Sequence, residues 1–414
     1  MMGFITVTDM QMVATDTTHF PLVDLRAVSN CAHQWVAISA RLAGHHAANP
    51  GTPAMTDPDA AVSSWHAVFD DNDLLTAIAP LDCVVHLRAF AELSPPLLAR
   101  LPASRVLFAV AAVALDGEGA TQQLTTLQQA GYRILIDGGA RPGASPPPTL
   151  RAVAHDCADA LAIKAPLAAL FGPHLAHGVD TPALFDACGK AGFAWFSGVH
   201  ALQAPVDEDV EDGLTARRLL KLLGLLLADA DTRDIETQLK QDPALCYHLL
   251  RLVNSAAFAA ATPIHDFAQA IDRLGRRQLM RWLQLLLYAR PRADGLQNPL
   301  LPVAARRAAQ IESLCKQQGG GRDAQDLGFQ IGVFSLLDVL LGMPMADIVA
   351  ALMLPPDSAG ALLGRSGPVG RLLALVECNA PGPAALAEAA VTPRQWWLSQ
   401  LQAFHWAIQV SRNV

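Results

Sequence analysis

The hydrophobic pattern of this chain changes character at the acidic run 206–213 (VDEDVEDG), and that change constrains the fold more than any single motif. Before it, short apolar runs of strand length alternate with helical stretches. After it, apolar residues recur at the 3- to 4-residue spacing of helices packed on one another. Strands alternating with helices build a parallel sheet or barrel, whereas an unbroken helical pattern builds an all-α domain. The sequence therefore predicts an α/β domain over 1–205, an acidic linker over 206–213 and an all-α domain over 214–414.

In the first part, 106–115 (VLFAVAAVAL) reads as a strand buried on both faces and 117–130 as the helix after it. Further strands are expected at 132–137 (YRILID), 160–164 (ALAIK) and 193–196 (FAWF). A helix over 181–191 has Thr181 as its cap and Pro182 at its first position. The segments 44–58 and 139–148 are rich in Gly and Pro and read as loops. About a dozen residues separate Lys164 from His177, near the minimum for a parallel crossover, so one unit is expected to be short and the barrel incomplete. In the second part Thr215 opens a helix. Asp242 with Pro243 marks another start, with Leu245, Leu249, Leu252 and Val253 on one stripe, and Gly275 reads as a helix stop.

Composition narrows the function classes. With 52% hydrophobic and 16% charged residues the chain is not disordered. A net charge of −8 without a basic face argues against nucleic-acid or anionic-membrane partners. The run 222–228 is too short to span a bilayer, and 329–354 is interrupted by Asp338, Pro344 and Asp347. No membrane span is expected. The segment MMGFITVTDMQ has no basic stretch leading into an apolar one, so a cytoplasmic protein is expected. Seven scattered cysteines without a C-x-x-C pair fit free thiols rather than disulfides or a zinc site.

Several motifs extend this reading. DPAL (242–245), LLRLVNSAAF (249–258), the Pro263–Ile264 break, Leu274–Gly275 and RWL (281–283) resemble the HDOD domain, a helical relative of HD-type phosphohydrolases that lacks their metal ligands. VFSLLDVLLGMPM (333–345) is similar to HDOD domains fused behind an EAL domain. GYRILIDGGA (131–140), ADALAIK (158–164) and 177–205 in turn resemble EAL-domain strands and closing turns. The resemblance implies a degenerate TIM-type, EAL-like barrel followed by an all-α helical HDOD domain. An active EAL barrel hydrolyses cyclic di-GMP with two divalent cations.

Such a site needs several strand-end carboxylates, because two dications demand anionic oxygens. Asp137 remains, but Gly138 stands where the resemblance implies a second acid, Lys164 replaces another, and Ala109 occupies the place of a third. The Glu-Ala-Leu signature has no counterpart near WVAIS (35–39). From these losses the sequence predicts no catalytic residues, no metal ligands, no cofactor, and a chain that is not an enzyme. The expected role is signal transduction through protein partners, with binding of cyclic di-GMP without hydrolysis as the alternative.

Arg41, Arg133 and Asp137 are the candidate ligand residues at the barrel mouth. Arg273, Arg277 and Arg281 fall on one i, i+4 row with Arg276 beside it, a candidate face for an anion or a partner. The plainer reading is a solvated row, or ion pairs with the acidic linker. The pair His265–Asp266 reads as a cap rather than a metal site, and Asp137 as a strand-end residue bonded to a loop N–H.

Overall fold

Among the described residues, eight strands close into a barrel in the order β1 to β8. They are β1 (Val23–Ser29), β2 (Trp35–Leu42), β3 (Asp82–Leu87), β4 (Val106–Ala111), β5 (Arg133–Asp137), β6 (Val153–Asp156), β7 (Leu175–His177) and β8 (Trp195–Ser197). The computed structural model describes residues 20–43, 58–70, 73–117, 119–138, 152–157, 167, 172–203, 210–228, 230–253, 269–270, 275–289, 298–378 and 380–413. The barrel is complete, contrary to the sequence expectation. Strands β2 to β8 run parallel, and β1 closes the ring antiparallel to both β2 and β8. A hairpin makes that reversal: the Asn30 side-chain oxygen accepts from the Ala32 and Gln34 amides, and His33 adopts φ 59°.

Strand limits follow from the ladder. The strand expected over 106–115 ends at Ala111, whose partner Asp137 is the last residue of β5; the chain continues as a 3-10 turn, Ala112–Asp116. The strand expected from Phe193 begins two residues later. The Phe193 amide donates to Cys188 O at the end of a helix and is lost to the sheet. The strand expected over 160–164, the loop at 139–148 and all but the last residue of the loop expected over 44–58 lie outside the described residues; Pro58 opens a helix.

Helices α1 (Pro58–Phe69), α2 (Asp73–Ala77), α3 (Pro95–Leu98), α4 (Ala120–Gln129) and α5 (Pro182–Lys190) accompany the barrel. Thr181 caps α5 as expected, accepting from the Leu184 amide at 3.2 Å. The alternation of β-strands then sorts side chains. Outward residues such as Ile38, Val85, Phe108 and Ile134 form one core with Trp65, Phe69 and Leu74 of the helices. The inward ones, among them Ala37, Val84, Leu107, Leu135, Ala154 and Leu175, fill the barrel.

The second part is helical: α6 (Val210–Leu227), α7 (Thr232–Leu239), α8 (Pro243–Val253), α9 (Arg276–Leu286), α10 (Leu300–Gln317), α11 (Arg322–Phe334), α12 (Leu337–Leu341), α13 (Met345–Ala351), α14 (Pro356–Gly364), α15 (Gly367–Glu377), α16 (Pro383–Glu388) and α17 (Pro393–Asn413). Helix α6 begins at Val210, so the last four residues of the expected linker and Thr215 lie inside a helix. Asp242 caps α8, its carboxylate accepting from the Leu245 amide at 3.2 Å. Gly275, expected to stop a helix, has φ 75° and stands before the first residue of α9. The stretch Arg322–Leu341 is long and apolar enough to cross a membrane, and 56% of its most apolar window is buried in the helical core. The last helix, α17, contributes to two cores. Trp396, Ala407 and Val410 join the helical one, while Trp397, Leu401, Phe404 and Ile408 join that of the barrel.

Candidate ligand site at the barrel mouth

The inward side chains change character toward the C-terminal ends of the parallel strands, where sites of such barrels collect. Two residues beyond the apolar position on each strand come Ser39, His86, Asp137, Asp156 and His177, with Arg41 one step further along β2. Ala109 takes the corresponding place on β4, paired with His86 and fully buried. No charged or polar side chain is supplied from that strand.

Asp137 is the hub. One oxygen lies 2.9 Å from His177 Nε2, and the other 2.9 Å from His86 Nδ1 and 3.4 Å from Arg41 Nη2. His86 Nε2 lies 2.8 Å from Ser39 Oγ. The carboxylate can only accept, which favours the tautomer with the proton on His86 Nδ1. His86 donates from Nδ1 to Asp137 and accepts at Nε2 from the Ser39 hydroxyl. The guanidinium of Arg41, 2.9 Å from the same Nδ1, then lies beside an N–H and repels a charged ring. Burial, reinforced by Arg41, draws the His86 pKa down to about 4, so the ring is neutral. Burial opposes charge on Asp137 too, but hydrogen bonds from His177 and His86 outweigh it and hold the carboxyl well below its ordinary range.

The contacts correct two readings. Asp137 binds two histidines and an arginine rather than a loop N–H. Arg133 starts β5 while Asp137 ends it, about 13 Å away along the strand; its guanidinium pairs with Asp82 at 2.7 Å. It belongs to the opposite rim. His86, His177 and Ser39 were missed, although each follows an apolar inward residue by two, a signal that becomes readable once the strand phase is known. Gly138 has φ 98°, a conformation an aspartate adopts only under strain, so the acid expected there conflicts with this backbone.

The residues present do not fit a pair of dications. Both Asp137 oxygens are engaged, a guanidinium lies against one of them, and among the described residues no group of three or more His, Cys, Asp or Glu is placed to hold a metal. Lys164 and the pair His265–Asp266 lie outside the described residues. What the mouth does offer is hydrogen-bond donors. Among the described residues only Nη2 of Arg41 is engaged, leaving Nη1 and Nε for an anion.

The arginine row on α9 packs against neighbouring helices. Arg277 pairs with Asp326 on α11 and Arg281 with Glu312 on α10, while the side chains of the acidic linker lie outside the described residues. Arg281 also lies 3.9 Å over the Phe329 ring, and Arg276 donates to Thr232 Oγ1 at 3.1 Å. Arg273 lies outside the described residues. A groove of about 420 Å³ is lined by Arg276, Arg277, Met280 and Arg281 on one side and Asp326 and Phe329 on the other.

In comparison with known proteins, residues 215–290 match the HDOD domain. Cyclic di-GMP phosphodiesterase CdgJ of Vibrio cholerae is 30% identical over 207 residues, 49% of this chain and 47% of the relative. Uncharacterized protein YuxH of Bacillus subtilis is 28% identical over 141 residues, 34% of each protein. The chain thus matches less than half the length of these relatives. Among solved structures, a cyclic di-GMP complex of the PaMucR phosphodiesterase aligns with 44% of this chain and 96% of its own, at 18% identity and a TM-score of 0.34. The chain is related to proteins of cyclic di-GMP signalling. The expectation that it is not an enzyme does not stand, because a relative carries the name of a phosphodiesterase.

Proposed function

We propose that this chain is a cytoplasmic cyclic di-GMP signalling protein. In this reading an EAL-like barrel receives the dinucleotide at Arg41, and the HDOD part meets a protein partner at the groove of Arg276, Arg277 and Arg281. The observation that carries it is Arg41, held beside Asp137 at the C-terminal ends of the strands with two guanidinium donors open. A phosphodiester oxygen accepts from such a fork at modest entropic cost, because the side chain is only 16% exposed and already oriented. Neutral His86 adds no competing charge and locks Asp137 in place.

Calorimetric titration of the full chain with cyclic di-GMP, with and without Mg²⁺, tests this, run beside an assay for the linear dinucleotide. Micromolar binding that disappears in Arg41→Ala is the expected result. Formation of linear product would add turnover to the reading. Absence of heat under both conditions would remove the mouth as the dinucleotide site.

A further inference from the structure

A second cavity, of about 100 Å³, lies where the barrel meets the helical part. Ser29 and Ser197 contribute from β1 and β8, Arg306 and Arg307 from α10, and Glu377 from the end of α15. Two of the residues lining it carry a buried polar atom without a hydrogen-bond partner, Ser197 Oγ and Arg307 Nε. Ser197 is only 2% exposed. Orphaned groups at such depth are rare, since each forfeits about 1–3 kcal/mol.

Charge on the wall is lopsided. Glu377 is the lining carboxylate, and it is already shared between Arg307 at 3.2 Å and Arg365 at 2.7 Å. Arg26, also on the wall, is matched by Asp24 at 2.8 Å. Among the described residues no carboxylate comes within ion-pair distance of Arg306, whose Nη1 donates to the neutral Gln310 at 3.1 Å. Burial, with Arg307 next to it, draws Arg306 down to about 10, and the Asp24 carboxylate offsets this only in part.

We propose that this cavity is a binding site for a phosphate-sized oxyanion, held by Arg306, Arg307 and Ser197. The volume suits a tetrahedral oxyanion and lies below the roughly 300–1,000 Å³ of pockets that take drug-sized ligands. None of the cavity's lining residues belongs to the mouth cluster of Arg41, His86, Asp137 and His177, although Ser197 pairs with His177 in the ladder. Its ligands come from both parts of the chain, Ser197 from the last barrel strand and Arg306 and Arg307 from α10. Occupancy consequently favours the docked arrangement, as any ligand of the assembled state does. A free phosphate ion and the phosphate end of a small ester share this chemistry.

Thermal melts and calorimetry of the full chain in inorganic phosphate, against chloride at equal ionic strength, test the site. A saturable rise in melting temperature specific to phosphate is expected, with affinity at least about tenfold weaker in Ser197→Ala and in Arg306→Gln, the loss of one charge-assisted contact. Ser197→Ala removes a single oxygen, so a folded control is secure. Glycerol phosphate separates the sources: tighter binding than inorganic phosphate identifies an ester, weaker binding the free ion. Equal melts in phosphate and chloride, or unchanged affinity in both variants, would overturn the site. So would a phosphate response lost in Arg41→Ala and kept in Ser197→Ala, which would move the anion to the mouth.

Discussion

Trp396 and Trp397 are consecutive residues of α17, yet they are buried in different cores: Trp396 packs with the helical part and Trp397 with the barrel. Each is at most 4% exposed. A helix turns about 100° per residue, so a helix lying between two bodies presents adjacent side chains to both.

Truncation of either indole is expected to cost about 3–5 kcal/mol. The distinguishing outcome is where the loss appears. Trp397→Ala should raise hydrogen exchange in β2 and β3, although the residue sits more than 300 positions later in the chain. Trp396→Ala should raise it in α10 and α11 instead. Identical exchange patterns in the two variants would contradict the division.

Stability should fall on mild acidification. Burial holds both His86 and His200 near a pKa of about 4, against an ordinary value of 6.5. Above pH 6.5 neither the folded nor the unfolded chain holds these protons. Between 6.5 and about 4 only the unfolded chain does, so stability drops as pH falls through that window, by about 1.4 kcal/mol per unit for each ring. Urea denaturation of His86→Gln between pH 6.5 and 4.5 should show a slope shallower by about one proton.

Asp137→Asn keeps the shape and removes the charge that His86 and His177 address. A loss of about 2–3 kcal/mol is expected, as for breaking hydrogen bonds to a buried charged group. The pKa of His86 should fall further, because Asp137 raises it. Imidazole chemical shifts followed against pH would reveal a rise instead.

Two glycine-to-alanine changes should have opposite signs. A Cβ at Gly332 on α11 would sit 2.5 Å from the Ala308 backbone of α10, so Gly332→Ala must push the helices apart and cost about 1–3 kcal/mol. At Gly224 in α6 a Cβ meets nothing within 4 Å, and Gly224→Ala should stabilise by about 0.5–1 kcal/mol. Thermal denaturation of both variants checks the pair.

Gly138→Asp restores an acid where the family resemblance expects one. At φ 98° the substitution is expected to cost about 1–2 kcal/mol and to leave manganese affinity unchanged, since Arg41 still faces Asp137. Manganese binding by the variant, followed by calorimetry, would refute the electrostatic argument.

Local chemistry was legible in the order of residues. The caps at Thr181 and Asp242, strand β5, and the change from strand-and-helix to helix-only patterning all follow from propensity and short-range hydrogen bonds. The tertiary structure alone decided barrel closure through an antiparallel β1, the phase that brings Ser39, His86, Asp137 and His177 to one end, and the sharing of α17 between cores. These depend on pairing between residues far apart in the chain. A strand of five or six residues carries too few positions to reveal which of its faces turns inward until its neighbours fix the register.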